Sequence, residues 1–467
     1  MSNTHIESKP WYKRIPHAVT MLFGIIILVT VLTHILPAGT YERILVDGRK
    51  IVVPNSYTTI ESTPIGLLSM FKAIPLGFKS AAEIIFIVLA GAIMFGFMER
   101  SKAVENSVGT LVNKLGLKNK NAIIVIMTFI YGLLGVAVGY ENNIAMVPIA
   151  AVLSLALGGD LILAAGISVG AMTIGFGLSP INPYTVGTGH KIAELPMFSG
   201  AFLRSILCLI SLSIMAYYNV RYFKKIIKFP EKSLGKGLDI SNLSLSRPIE
   251  NYRISINNWM IISIFIIGLF VILYGVFNLG WYLNELSAVF LMVAVLCGIV
   301  SRMDATKMSE TVLKAVAVAA PGAFMVGYAT SIKVLMETGN IGDTISYNLS
   351  LMLNDLPLYA SAISMSVSQT VINFFIPSGS GQALATLPVM LPLGESLGLT
   401  RQITILAFQI GDGLSNLINP TLGGLIAMLS MCRVPIDRWI RFIFPILISL
   451  FIIASGALMI AVAINYN

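Results

Sequence analysis

Apolar windows separated by polar ones run the length of the chain, and two kinds of window can be told apart. Residues 15–36, 81–98, 201–220, 255–279, 286–300, 321–338 and 444–464 are continuously apolar over lengths close to the about 20 residues of a transmembrane helix. Others are interrupted half-way. Residues 122–138 and 144–157 flank GYENN (139–143), and each is too short to cross, so the pattern predicts a re-entrant hairpin over 122–157. A second hairpin is predicted over 358–397, with PSGSGQ (377–382) at its tip. Residues 161–195 and 399–432 each predict one crossing by a discontinuous helix, broken at LSPINP (178–183) and at GDGLSNLINP (411–420). In lipid an unpaired backbone group is so costly that non-helical chain survives only inside protein or beside a watery cavity. Four interruptions therefore mark a site.

The interruptions come in matched order. GFGLSPINP (175–183) aligns with GDGLSNLINP (411–420) after one inserted residue, a hairpin precedes each, and Met98-Glu99 matches Met336-Glu337. Paired broken segments in the two halves of a chain point to the binding site of a secondary transporter. The expected organisation is a tail over 1–14, a first repeat over 15–220, a basic linker and connecting helix over 221–282, and an oppositely oriented second repeat over 283–467.

Composition and charge fix the class and the orientation. With 56% hydrophobic and 11% charged residues and a mean hydropathy of +0.84, the chain lies far from the about 25% charged of soluble proteins. It reads as an all-α polytopic membrane protein. The net charge of +9 lies mostly in short segments, so it is read as a determinant of membrane orientation rather than a nucleic-acid surface. Residues 221–253 carry eight Lys or Arg against three acids, and 99–121, 302–319 and 433–441 are also basic, which predicts that they are cytoplasmic. Residues 40–63, and 339–360 with no Lys or Arg, are expected outside, and 65–80 as an interfacial helix. The N-terminus then lies in the cytoplasm and the C-terminus outside, in a bacterial inner membrane, and the count of crossings closes only if both hairpins are re-entrant. Window 15–36 is too long for a signal-peptide core. Cys208, Cys297 and Cys432 lack metal-ligand spacing and read as buried thiols.

The candidate chemistry lies in the interruptions. Asn142, Asn143, Ser378, Ser380 and Gln382, with Gly379 and Gly381, occupy the tips; Ser179, Asn182, Ser415, Asn416 and Asn419 occupy the breaks. Half-helix N-termini suit a carboxylate, and unwound carbonyls and helix C-termini suit Na⁺ or an ammonium group. Glu141 and Asp412 are acids within the membrane, which are functional candidates by default. Glu141, Asn142, Gly177, Asp412, Gly413 and Asn419 form the candidate ion site. Serine and asparagine also join membrane helices as structural glue. No Lys or Arg lies in a tip or break, which tilts the reading toward amino acids over dicarboxylates. His190 and Lys191 are placed near the outer mouth. No cofactor is expected beyond Na⁺ or H⁺ as coupling ion. An enzyme is disfavoured: an intramembrane aspartyl-protease motif is absent, and the four histidines offer no convincing partner for Ser380. A channel remains a competing reading.

PSGSGQA (377–383), GDGLSN (411–416), INPT (418–421) and CRV (432–434), in that order, resemble the YfcC branch of the DcuC-type carriers, a group within the ion-transporter superfamily that includes dicarboxylate carriers and ArcD-type arginine/ornithine exchangers. The resemblance covers nearly the whole chain. It implies a homodimer in which a transport domain moves past a scaffold by an elevator motion, with tips and breaks forming the substrate and coupling-ion sites. The expected function is a secondary transporter or antiporter of small amino acids, basic ones included. The alternative is a Na⁺- or H⁺-coupled carrier of dicarboxylates or other small carboxylates.

Overall fold

The computed structural model describes residues 18–467 apart from 47–48, 54–55, 116–118, 139–140, 242, 244–250, 282 and 353–355. The first apolar window forms α1 (Ala18–Ile35). After it come two short antiparallel pairs, β1 (Gly39–Thr40) with β4 (Thr58–Thr59) and β2 (Arg43–Val46) with β3 (Arg49–Val52). Then follow α2 (Leu67–Ser80), α3 (Ala82–Arg100), α4 (Ala103–Leu115), α5 (Lys120–Val138), a 3-10 turn (Glu141–Met146) and α6 (Val147–Ala156). The first broken helix is α7 (Leu161–Ala165), a wide turn (Gly166–Gly170) and α8 (Ala171–Gly177), continued after the break by another wide turn (Pro183–Gly187) and α9 (Thr188–Ile192). Next are α10 (Ala201–Lys228), α11 (Ile256–Leu279), α12 (Leu283–Val300), α13 (Ala305–Thr338) and α14 (Gly342–Leu351). The chain ends with α15 (Leu358–Phe375), α16 (Gly379–Ser396), α17 (Arg401–Ser415), α18 (Gly423–Met431) and α19 (Ile436–Ala463).

The sequence dictates many of these ends. Asp160, Asp304, Ser378 and Thr400 each accept a backbone N–H of the first turn that follows, starting α7, α13, α16 and α17. Ser255 and Asn258 form a reciprocal capping box at α11, which closes on Gly280 at φ 67°. Among the described residues, α3, α10, α12 and α19 are long and apolar enough to cross a bilayer, and α13 is a fifth span if its 40° bend at Pro321 is taken as one crossing. By contrast the ten residues of α6 rise only about 15 Å, half of the about 30 Å hydrocarbon layer.

Several boundaries differ from expectation. Helix α17 runs unbroken through Gly411, Asp412 and Gly413 to Ser415, so the second interruption begins at Asn416 rather than Gly411. Here glycine serves close packing rather than unwinding. Segments 302–319 and 321–338 are one bent helix, and the stretch 339–360, expected outside, contains α14.

Helix α13 lies along α2 and α3, α12 packs on α3, and α1 on α13. Leu22 and Ile26 of α1, Met70 of α2 and Ile332 of α13 form a separate small core there. Elsewhere α5 packs against α8 and α10, and α15 against α17 and α19. The 3-10 turn of the first hairpin rests on α3 and α18, and α16 rests on α9. The segments read as cytoplasmic gather on one face: Arg100 reaches Thr311 and Glu310, Arg433 reaches Asp239 and Ser241, and Arg438 reaches the carbonyls of Leu234 and Lys236.

The two broken helices cross at bare backbone. A Cβ on Gly177 would lie 2.6 Å from the Gly413 Cα, and one on Gly413 would lie 2.5 Å from the Gly177 Cα. Around this crossing Gly175 abuts the Gly132 carbonyl and Gly411 the Ser366 carbonyl, at 2.0 and 2.3 Å from a Cβ that neither has. Overpacking of a tight contact costs about 1–3 kcal/mol. Gly177→Ala and Gly413→Ala are therefore expected to lower the thermal unfolding midpoint of the detergent-solubilised protein by several degrees. Gly456→Ala, with nothing within 4 Å of the added carbon, should leave it unchanged or raise it slightly. Equal midpoints in all three variants would refute the crossing.

Candidate functional site

The site is built where the two breaks meet the second hairpin tip. Asn182 and Asn419 do matching work there. Asn182 Oδ1 accepts from the N–H groups of Tyr184 (2.8 Å) and Thr185 (3.3 Å), while its Nδ2 donates to the Phe176 carbonyl (3.0 Å). Asn419 Oδ1 accepts from Thr421 N (3.0 Å) and Thr421 Oγ1 (2.7 Å), and its Nδ2 donates to the Asn373 carbonyl (2.8 Å). Both side chains are used up in satisfying the backbone of a break. Ser179 is similarly engaged, donating to the Val136 carbonyl and accepting from Ile181 N.

Around the second break, Asn373 Nδ2 lies within hydrogen-bond distance of the Asp412 carbonyl (3.1 Å), Ser415 Oγ (2.7 Å) and Asn416 Oδ1 (2.7 Å). Ser415 Oγ donates back to the carbonyls of Gly411 and Asp412. At the hairpin tip Ser378 Oγ accepts from Gly381 N, and Gln382 Nε2 donates to the backbone and side-chain oxygens of Gln369. Ser380, beside these, is half-buried.

One group stands apart. Asp412 is 1% exposed, and neither carboxylate oxygen has a hydrogen-bond partner among the described residues. A Cβ on Gly379 at the start of α16 would sit 3.4 Å from Asp412 Oδ2 and 2.6 Å from Thr185 Cγ2. The carboxylate therefore lies beside the hairpin tip and next to the turn that follows the first break. Thr185 Oγ1, Gln382 Oε1 and Asn373 Oδ1 are likewise buried without partners among the described residues. These are hard oxygen acceptors and hydroxyls, the donor set that suits Na⁺ or an ammonium group. No cluster of three or more His, Cys, Asp or Glu suited to a metal occurs among the described residues.

One turn back along α17, Gln409 meets a buried arginine of α10. Arg204, 1% exposed, donates from Nε to Gln409 Oε1 (2.9 Å), from Nη2 to Gln402 Oε1 (3.0 Å), and from Nη1 to the Ser199 carbonyl (2.9 Å) and Tyr466 hydroxyl (3.3 Å). All are neutral. Gln409 Nε2 in turn donates to the Ser179 carbonyl at 2.7 Å, so Arg204 anchors the rim of the first break.

The first tip is placed only in part. Residues 139–140 lie outside the described residues, as do the side chains of Glu141 and Asn142, whose backbone opens the 3-10 turn. Asn143 is buried and donates to the Leu134 carbonyl at 3.2 Å. His190 is fully buried, accepting from Phe198 N and meeting Gln402 Oε1, while Lys191 is exposed. Thr185, Asn373, Gln369, Arg204 and Gln409 were not singled out by the sequence. Ser366, Gln369 and Asn373 at i, i+3 and i+7 form a polar stripe on α15 that could have been noticed.

Two cavities open toward this body. One of about 550 Å³ is lined by Pro377, Ser378 and Gly381 of the tip together with Arg43, Lys333, Glu337 and Asp343. The other, about 230 Å³, lies on the basic face between α3, α13 and α18.

Comparison with known proteins fits a carrier. YfcC of Escherichia coli K12, whose name assigns it provisionally to basic amino acid antiport, is 28% identical over 503 residues, covering 99% of both chains. An uncharacterized protein of Haemophilus influenzae Rd is 24% identical, covering 96% of this chain and 97% of its own. Among solved structures, MtrF of Neisseria gonorrhoeae, described as an antimetabolite efflux pump, aligns at a TM-score of 0.45 and 17% identity over 96% of this chain and 95% of that one. The YdaH transporter of Alcanivorax borkumensis aligns at 0.44 and 16% over 97% and 99%. These two structural likenesses are too loose to transfer detail. The family model for DcuC, the C4-dicarboxylate anaerobic carrier, matches residues 15–463, and the chain belongs to that family.

Proposed function

We propose that this integral membrane protein is a secondary active carrier of small amino acids, zwitterionic or basic, whose ammonium group is held by Asp412 between the second hairpin tip and the crossing of the broken helices. The observation that carries this reading is a fully buried carboxylate with two unpartnered oxygens. A buried lone charge costs several kcal/mol unless a partner arrives, and a cationic ligand is such a partner. The first turn of α16, with its unpaired N–H groups and positive dipole end, is suited to the substrate's carboxylate. The name of the YfcC relative supports an amino acid.

Packing supports the two-repeat organisation. The contacts of α5 with α8 and α10 have counterparts in those of α15 with α17 and α19, and α12 on α3 has a counterpart in α1 on α13. Repeats over 15–220 and 283–467, joined by 221–282, follow from this reading, with α1 to α3, α12 and α13 as scaffold and the hairpins and broken helices as the moving body of an elevator. The working unit is a homodimer in a bacterial inner membrane, with the basic face cytoplasmic and the C-terminus outside. A second reading takes the family description literally: Asp412, Thr185, Gln382 and Asn373 would hold Na⁺, and α16 a C4-dicarboxylate.

Asp412→Asn keeps the shape and removes the charge. Loss of a buried charge–charge contact costs about 2–5 kcal/mol, so uptake into proteoliposomes should fall at least about thirtyfold. The ligand-free variant should also unfold at the same or a higher temperature, because an unpaired buried charge is gone. Wild-type uptake, or a large drop in stability, would remove Asp412 from the site.

Ligands that bind only the folded state raise its unfolding midpoint. With the wild-type protein, arginine, ornithine or a neutral amino acid should stabilise without Na⁺. Stabilisation by a C4-dicarboxylate only in the presence of Na⁺ would select the second reading.

A further inference from the structure

The matched pair Glu99 and Glu337 ends up at the two cavities, one on each. Their surroundings differ in charge. In the larger cavity, Arg43 is paired with Asp343 at 2.7 Å and Lys333 with Glu337 at 3.7 Å, all four among its lining residues, so that wall is neutral. Among the described residues, the cavity on the basic face has three positive side chains, Arg100, Lys314 and Arg433, against the single carboxylate of Glu99. Arg100 and Arg433 have their own partners, Glu310 and Asp239, outside the lining at 3.4 and 3.3 Å. Lys314 forms no ion pair with a described residue, and Glu99 lies within electrostatic reach of both Lys314 and Arg433.

The cavity is half open, with the linker on one side. Leu243 of the linker, 2% exposed, forms part of its wall, and the strap leading to it is tied down. Asp160 Oδ2 accepts from Tyr222 (2.7 Å), Ser233 (2.6 Å) and Gly235 N (3.2 Å), and Arg433 and Arg438 donate to strap carbonyls. A volume of about 230 Å³ is below the about 300–1,000 Å³ of drug-sized sites, so only a small solute fits. A cleft with an excess of one sign of charge in its lining concentrates the opposite ion, and here three cations face one carboxylate among the described lining residues.

We propose that this cavity is a docking site for a small carboxylate, formed by Lys314 and Arg433 opposite Glu99, which draws the carboxylate end of the substrate to the basic face. The neutral cavity on the other face lacks this attraction. The proposal deepens the carrier reading, on which it rests for the route beyond the cavity, but its test does not require transport.

The test places a reporter thiol on the wall. Ser430 lines the cavity, and the native Cys208, Cys297 and Cys432 are buried. In the full chain carrying Ser430→Cys, reaction with an anionic methanethiosulfonate should outpace that with a cationic one at least about tenfold relative to a free thiol, and less so at high salt. Lys314→Gln should cut this preference several-fold. Millimolar succinate should slow labelling by the uncharged methyl reagent, and putrescine should not. Thr311→Cys reports from the α13 wall if the first variant does not fold. A charge preference at or below one, or protection by putrescine equal to that by succinate, overturns the proposal. Labelling without charge preference in a protein that still transports leaves Asp412 intact and removes only this cavity; charge preference with transport unaffected by Asp412→Asn does the reverse.

Discussion

The constraint on which the rest depends is the backbone contact between Gly177 and Gly413, where two helices, each about to break, cross with no side chain between them. Any larger residue would push the breaks apart. Because they touch, the unpaired carbonyls and N–H groups of both interruptions fall in one apolar interior, where each must be satisfied by protein. Asn182, Asn419, Asn373 and Gln409 supply those bonds. Their cost is offset by what they permit: two breaks and a hairpin tip held in fixed relation.

Against this thorough pairing, the charges are arranged in an unexpected way. Arg204 and Asp412 are both 1% exposed and both attached to the same part of the fold, Arg204 through Gln409 one turn from Asp412. A chain selected for stability alone would gain by joining them, since breaking up a buried ion pair costs about 3–5 kcal/mol. Instead Arg204 has four neutral acceptors and Asp412 has none of the donors nearby. Asn373 spends its amide on the carbonyl of Asp412, not on the carboxylate. On the proposed carrier reading, the carboxylate is thereby kept for a partner that comes and goes. A carrier needs such an exchangeable partner, and a static membrane scaffold does not.

The sequence made the interruptions legible because non-helical chain inside lipid has a compositional signature: GLS and INP inside apolar windows, and an acid beside them. It also made Asp412 stand out. It could not separate ligand from glue, because Asn182 and Asn419 have the chemistry of a binding residue and spend it on their own backbone. Gly411 and Gly413 read as breakers yet lie inside α17, where their lack of a side chain admits the Ser366 carbonyl and Gly177. Thr185, Asn373 and Arg204 were hidden inside windows judged by average hydropathy, and what makes them matter is a neighbour more than a hundred residues away or a missing partner. Neither is written in local sequence.

The asymmetry of the two faces follows from the same economy of charge. Helix α13 lines the basic cavity at Thr311 and Lys314 and the opposite one at Lys333 and Glu337. Between Thr311 and Met336 it rises about 37 Å along its bent axis, a little more than the hydrocarbon layer. One helix thus borders both mouths, and the body containing Asp412 lies beside it, through α18. If Asp412 serves both sides, as proposed, it meets its ligand at mouths of different lining, one with three cations to one carboxylate among the described residues and the other balanced. An ammonium bound at Asp412 is indifferent to that difference once the cavity is closed, but the carboxylate at its other end is not. On the proposed reading, the face with the excess lysine and arginine favours the arrival of the acid end, and the orientation expected from the same basic residues also sets from which side a carboxylate is gathered.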